Sequence, residues 1–235
     1  MIPIKTVNIQ EYANRVIEWN LLAHKEHDCS DGNIKNQLAL VVEEYKELVD
    51  ALNNKDAIGV VDGVCDLFVT AVYCEFLVNY EDMYSEKDYD LSWYGNTELK
   101  YDLGDTLRAT SLAMAILVGD ETLPAQDGGE VKTIGFIEDI LIGCIDLMYI
   151  LDVDINGAME EVLDSNDSKM PLYDALDIPI YHIECESISE KEGIDVEWFR
   201  TEDRVIFRNA ETGKVRKPMS FTAPELKQFI PNAYI

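Results

Sequence analysis

The sequence predicts an all-α protein with a small C-terminal β-hairpin. In several segments between residues 8 and 163, apolar residues recur at steps of three and four, the period of an amphipathic helix. Residues 197–218 instead alternate on either side of Glu211-Thr212-Gly213, which is typical of a hairpin. The chain has 235 residues, 47% of them hydrophobic, which suits one large domain or one domain with an insertion.

Three helices are predicted in the first 79 residues. The first covers residues 8–27, the second covers residues 34–52 and stops at Asn53-Asn54, and the third begins near Asp56 and ends at about Asn79. The third is apolar almost throughout, so we expect it to be a central helix. The first carries one apolar stripe, consisting of Ile9, Tyr12, Val16, Trp19 and Ala23.

Helices and irregular stretches alternate in the rest of the chain. Residues 80–98 are acidic and aromatic without a clear period, and residues 99–118 are again helical. A long turn at residues 120–133 contains Pro124 and Gly128-Gly129. Two further helices are expected at 134–150 and, after an Asp154 cap, at 155–163. Residues 170–193 have no clear period and are predicted to be irregular.

Charge and composition favour a cytoplasmic protein. The formal net charge of -27 argues against binding of nucleic acid or anionic membranes, since phosphates are bound by clustered Lys and Arg. We identify no signal segment and no apolar run of the roughly 18 residues that span a bilayer. The five cysteines are odd in number and are expected to be reduced core residues. They are Cys29, Cys65, Cys74, Cys144 and Cys185.

Five carboxylates lie on the second and third helices, within the stretches EEYKE and DGVCD. If these helices form an antiparallel hairpin that turns at Asn54 and Lys55, residues at equal height have numbers that sum to about 109. Glu47 then lies at the level of Asp62, and Glu43 lies at the level of Asp66. These four acids converge on one patch, and Glu44 is adjacent to it.

Such a convergence is unfavourable without a counter-charge, because like charges and desolvation both disfavour the ionised state. A divalent cation removes this cost, and Mg²⁺ commonly bridges carboxylates to substrate phosphates. The alternative is a solvated acidic helix face with Lys46 and Lys55 as partners. Because Asp62 and Asp66 lie in an apolar run, we favour a site for Mg²⁺ and a polyphosphate.

At these residues the chain resembles the MazG-like all-α nucleoside triphosphate pyrophosphohydrolases, whose pattern is EExxE, a spacer and ExxD. Glu43, Glu44 and Glu47 match the first element, and Asp66 matches the final aspartate. The position three before Asp66 is a glycine, and the acid is Asp62, one residue earlier. Some phage-type relatives have this D-x-x-x-D spacing.

Two later stretches strengthen the resemblance. SNDSK at residues 165–169 is similar to the family's SNxSK element, and GKVRKPMSFTAPELKQF resembles a GKxxKPxxYxxPxL tail of phage-type members, with Phe221 at the Tyr position. The resemblance covers roughly residues 8–78 and 146–230. It implies a single domain over residues 1–235, with an insertion at about 80–145, part of it helical, and a C-terminal extension at about 170–235.

The resemblance implies Mg²⁺-dependent attack of water between the α and β phosphates, which gives a nucleoside monophosphate and pyrophosphate. Mn²⁺ is expected to substitute. Glu43 would orient or deprotonate the water, Glu47 would act in catalysis as well as metal binding, and Lys169 would neutralise phosphate charge. The implied metal ligands are Glu44, Glu47, Asp62 and Asp66.

Four residues are candidates for substrate binding, and three of them have an alternative role. Asn166 would donate hydrogen bonds to the substrate, and Lys169 is otherwise a cation at a helix C-terminus. Trp19 would stack on the base, or else belongs to the core or an interface. Lys217, like Lys214, is otherwise a solvated hairpin charge. His24 and His27 lack a third ligand, and nothing indicates a Gly-rich phosphate loop or a Ser or Cys nucleophile.

We therefore expect a phage-type enzyme that cleaves purine deoxynucleoside triphosphates, dGTP or dATP, and forms a homodimer or homotetramer. One alternative keeps the fold and takes dUTP, dCTP or phosphoribosyl-ATP. Another is a non-enzymatic acidic protein that mimics DNA. Such a mimic needs acids spread over its surface and has no use for magnesium.

Overall fold

The computed structural model describes residues 8–23, 31–83 and 129–231. These residues form mostly helices with one small antiparallel sheet, which confirms the predicted fold class. The predicted helix at 99–118 and most of the irregular stretch at 80–98 lie outside the described residues. The elements are α1 (Ile9–Ala23), α2 (Asp31–Asn54), α3 (Ala57–Met83), α4 (Gly129–Ile150), α5 (Ile155–Asp167), α6 (Ile178–Glu192), β1 (Val196–Arg200), β2 (Val205–Asn209) and two 3₁₀ turns (Ala175–Asp177, Leu226–Phe229).

The contacts between residues divide the chain into two compact units. The first unit contains α2, α3 and α4, together with residues 9–17 of α1, residues 155–160 of α5 and the turn Leu226–Phe229. The second unit contains residues 18–23 of α1 and the stretch Glu161–Pro224.

Helix α3 is the centre of the first unit, as its apolar sequence predicts. It packs against both α2 and α4, and most of its side chains are buried. By length and composition Ala57–Val78 could cross a bilayer, with a mean hydropathy of 1.7, so the expectation of no such run is wrong. However, 61% of its most apolar window is buried inside the protein, as is usual for a core helix.

Helix α1 presents the predicted apolar stripe. In the first unit its residues Ile9, Tyr12 and Val16 are buried, and the Tyr12 hydroxyl donates to the side-chain oxygen of Asn156 on α5 at 3.0 Å. In the second unit Ala23 is fully buried. The periodicity of the sequence is therefore sufficient to identify the buried face of this helix.

The second unit is built around α6 and the hairpin. Tyr181, Cys185 and Ile188 recur at steps of four and three on α6 and pack against Val205 and Phe207 of β2. Val196 of β1 pairs with Asn209 of β2 at one end of the sheet, and Arg200 pairs with Val205 at the other end. These contacts give the unit an apolar core of its own.

Several predicted boundaries are wrong. Residues 170–193 are not irregular, because they contain a 3₁₀ turn and α6, which has Pro179 in its first turn and is capped by Gly193 with φ 68°. The strands connect through residues 201–204, not Glu211–Gly213, where a second reversal forms only an isolated bridge. Helix α3 extends to Met83, and α4 begins at Gly129, inside the predicted turn.

Four of the five cysteines are confirmed as free, buried thiols, and Cys29 lies outside the described residues. They are Cys65, Cys74, Cys144 and Cys185.

Candidate functional site

The connection between α2 and α3 is a tight reversal at Lys55 and Asp56. Lys55 adopts a left-handed conformation with φ 56°, and the Asp56 N–H donates to the carbonyl of Ala51 at 3.0 Å. A side-chain oxygen of Asp56 accepts the N–H of Gly59 at 3.0 Å, which caps the start of α3. The helices therefore form a hairpin close to the predicted turn.

Two contacts define how α2 and α3 pair. A Cβ placed on Gly63 would lie 3.0 Å from Cα of Leu48, so the helices touch at that point. Further along, the side-chain amide of Gln37 donates to the carbonyl of Thr70 at 2.9 Å. These contacts confirm the predicted antiparallel pairing, and both agree with the predicted register to within two residues.

The predicted acids lie along the stretch that these two contacts enclose. It consists of residues 38–47 on α2 and 64–69 on α3. Four of the five acids lie within it and the fifth adjoins it: Glu43, Glu44, Glu47 and Asp66, with Asp62 beside Gly63.

The five acids differ in exposure. Glu43 and Glu47 are exposed, whereas Glu44 is half-buried on the stripe between Val41 and Leu48, both of which are buried. The two aspartates of DGVCD are also half-buried and lie on the least buried stripe of α3. The carboxylates thus line the edge of the helix pair instead of its dry interior.

Among the described residues, no group of three or more His, Cys, Asp or Glu side chains is arranged to hold a metal ion. The donors nevertheless suit Mg²⁺ chemically, because carboxylate oxygens are the hard ligands it prefers. Mg²⁺ commonly takes only one or two carboxylates from a protein and completes its shell with water and substrate phosphates. A half-buried acid on each helix is enough for that kind of binding.

The structure gives a physical reason for the departure from ExxD. Gly63 is buried against the backbone of Leu48, and an added Cβ would also lie 3.2 Å from Cβ of Leu48. A glutamate at position 63 would therefore force the two helices apart. Asp62, one residue earlier, is half-buried.

Cys65 lies between the two aspartates and is fully buried. Burial, and then the charges of Asp66 and Asp62, raise the pKa of the Cys65 thiol well above its usual value. This thiol stays protonated at neutral pH, a form that is neither a good nucleophile nor a metal ligand.

In the second unit, three of the predicted substrate-binding residues lie together. The indole N–H of Trp19 donates to the carbonyl oxygen of Asn166 at 2.9 Å. The ammonium of Lys169 donates to the side-chain oxygen of Asn166 at 2.6 Å and lies 5.9 Å from the centroid of the Trp19 ring. We call Trp19, Asn166 and Lys169 the lysine cluster.

The C-terminal tail is bound to the SNDSK element within the same unit. The N–H of Thr222 donates to Oγ of Ser168 at 3.0 Å, and that hydroxyl donates to the carbonyl of Ser165 at 2.7 Å. The fourth predicted residue, Lys217, is exposed, and its ammonium lies 4.5 Å from the ring centroid of Phe221. The two stretches that carry the later part of the resemblance are thus in direct contact.

The sequence did not single out two acids that the structure buries almost completely. Glu75 on α3 is 4% exposed, and Asp146 on α4 is 3% exposed. An acid inside a strongly apolar helix was the available signal. His24 and His27 lie outside the described residues.

Comparisons of the chain with protein-family models, with curated proteins and with solved structures found no match.

Proposed function

We propose that the protein is a Mg²⁺-dependent nucleoside triphosphate pyrophosphohydrolase. It cleaves a purine deoxynucleoside triphosphate, dGTP or dATP, between the α and β phosphates and releases a nucleoside monophosphate and pyrophosphate. The observation that carries the proposal is the contact of Gly63 with Leu48, which pairs the acid-bearing stretches of α2 and α3.

The metal is assigned to acids on both helices. Glu44 and Asp66 are half-buried residues of the paired stretch. Because burial already restricts their side chains, these carboxylates lose less conformational entropy on metal binding than exposed carboxylates do. Glu47 and Asp62, on the same two helices, are the further candidate ligands, and Mn²⁺ is expected to substitute for Mg²⁺. When bound, the ion offsets phosphate charge and makes a coordinated water more acidic.

Glu43 is proposed to orient the attacking water and accept its proton. Glu43 is exposed, so its carboxylate is accessible to solvent. A bond forms between the water oxygen and phosphorus, and the bond between the α and β phosphates breaks. Pyrophosphate then leaves with the charge that the site has stabilised.

The lysine cluster is proposed to bind phosphate. The Lys169 ammonium can offset developing phosphate charge, and the Asn166 side chain that holds it also has donors for the substrate. Lys217 is an exposed second cation in the tail. We further propose a cytoplasmic location and a homodimer or homotetramer.

The direct test incubates the protein with Mg²⁺ and each deoxynucleoside triphosphate and measures pyrophosphate and monophosphate. We expect equal amounts of both products from dGTP or dATP, and loss of turnover with EDTA and in Glu47→Gln. Glu18→Gln, which removes an exposed acid from α1, is the matched control and should retain turnover.

Other outcomes revise or reject the proposal. Products from dUTP, dCTP or phosphoribosyl-ATP alone would keep the chemistry and change the substrate. No product from any nucleotide would reject the enzyme and favour the acidic DNA mimic. Turnover in Glu47→Gln equal to that of the unmodified protein would reject the assigned site.

A further inference from the structure

Trp19 contacts the residue that holds Lys169. The carbonyl oxygen of Asn166 accepts the indole N–H of Trp19 at 2.9 Å and also the backbone N–H of Lys169 at 3.0 Å. The side-chain oxygen of Asn166 accepts the ammonium of Lys169. Asn166 thus binds Lys169 at both ends, and Trp19 binds Asn166.

The Trp19 ring is itself fixed by a small apolar cluster. It packs against Ala23, Met170 and Ile206, each of which is at most 2% exposed. The Lys169 ammonium lies over the ring, so a nucleobase that stacked on that face would have to displace it. The Trp19 ring therefore contacts both this apolar cluster and Lys169.

We infer that Trp19 is a positioning residue for Lys169 and not a stacking surface for the base. The inference rests on the proposed function, in which Lys169 binds phosphate. A lysine side chain loses much rotamer freedom when it binds an anion, and one that is already held loses less. Trp19 therefore acts on substrate affinity through Asn166.

The first test is a double-mutant cycle measured by steady-state kinetics. Trp19→Phe keeps an aromatic ring and removes the N–H, and we expect KM for the nucleotide to rise about fivefold, the value of one ordinary hydrogen bond, with kcat little changed. In a Lys169→Met background, Trp19→Phe should have no further effect. Trp198→Phe, which alters another half-buried indole of the same unit, is the control and should leave KM unchanged.

Independent effects of Trp19→Phe and Lys169→Met would overturn the inference, because a residue that stacks on the base does not need Lys169. A Trp19→Phe variant with unchanged KM would overturn it as well.

The second test measures binding without turnover. With Trp93 and Trp198 replaced by Phe, Trp19 is the only indole and its emission reports on the lysine cluster. Inorganic tripolyphosphate has no base, so we expect it to change Trp19 emission, and Lys169→Met should abolish the change. A response to dATP but not to tripolyphosphate, or no response to either, would overturn the inference.

The binding test and the pyrophosphate assay together distinguish the positioning role of Trp19 from the proposed enzyme activity. A Lys169-dependent response to tripolyphosphate, in a protein that releases no pyrophosphate from any nucleotide, would support the positioning role and reject the proposed enzyme.

Discussion

Gly63 of α3 lies directly against the backbone of Leu48 in α2. An added Cβ would approach Cα of Leu48 to 3.0 Å and its backbone nitrogen to 3.3 Å. Backbone atoms in the middle of two helices cannot move aside as the end of a flexible side chain can. This one glycine therefore determines the spacing of the pair that carries the candidate metal site.

Gly63→Ala should destabilise the protein. Overpacking costs about 1–3 kcal/mol, and against backbone atoms we expect the upper part of that range, about 2–3 kcal/mol. Alanine gains about 1 kcal/mol of helix propensity over glycine, so we expect a net loss of about 1–2 kcal/mol in the free energy of unfolding. Gly63→Glu, which restores the ExxD spacing, should lose more. Urea unfolding measures both. Ile58→Ala, at a 43% exposed position of the same helix, should change stability by less than about 0.5 kcal/mol. Equal stability of Gly63→Ala and the unmodified protein would show that the helices separate easily.

Gly157 of α5 should also be sensitive to substitution, for a different reason. An added Cβ would lie 2.6 Å from Cδ1 of Phe229, whose carbonyl accepts the N–H of Asp154 at 3.1 Å. Gly157→Ala should therefore displace the Phe229 ring and lower the free energy of unfolding by about 1–3 kcal/mol.

Because the obstacle is a side chain, removing it should restore the space. In a Phe229→Ala background, Gly157→Ala should cost little or become stabilising, which thermal unfolding of the four proteins of the cycle can measure. If the losses in unfolding free energy of Gly157→Ala and Phe229→Ala simply add, the strain does not come from the Phe229 ring.

The buried thiols make stability depend on pH above neutrality. Burial, and then the charge of Glu75, raise the pKa of Cys74 from 9.0 to about 12. The protonated thiol is favoured in the folded state, so its contribution is complete below pH 9 and is lost between pH 9 and about 12 as the unfolded chain releases the proton.

Replacing Cys74 by alanine should remove this part of the pH dependence. Urea unfolding at pH 8, 9, 10 and 11 should show a decline that is shallower in Cys74→Ala by roughly 1 kcal/mol per pH unit above pH 9. The loss of packing in the variant is the same at every pH, so only the slope matters. Parallel curves would mean that the thiol ionises freely in the folded protein.

The helical hairpin could be predicted because its signals are local. Apolar spacing identified the helices, Asn53-Asn54 marked the end of α2, and short connections make neighbouring helices antiparallel. The function of Gly63 could not be predicted, because it depends on how closely Leu48 approaches from another helix.

Helix α6 was missed because its apolar residues do not form one stripe. Tyr181, Cys185 and Ile188 face the core, but Ile180 and Ile183 are 48% and 59% exposed and blur the period. Pro179 in the first turn and Gly193 after the last were usable signals.

The position of the hairpin turn could not be predicted, because the observed connection lacks glycine. Glu211-Thr212-Gly213 has the glycine that turns favour, whereas the observed connection is closed by hydrogen bonds between Thr201 and Arg204, including one from the Arg204 N–H to the Thr201 hydroxyl at 3.2 Å.

The central claim is that acids of α2 and α3 share a divalent cation, and Mn²⁺ binding followed by electron paramagnetic resonance tests it most directly. Glu44→Gln and Asp66→Asn each remove one charge from a different helix, and each should weaken Mn²⁺ binding about tenfold or more. Glu190→Gln, at an exposed position of α6, should bind as the unmodified protein does. If Glu44→Gln and Asp66→Asn also bind Mn²⁺ with unchanged affinity, the two helices do not form a metal site.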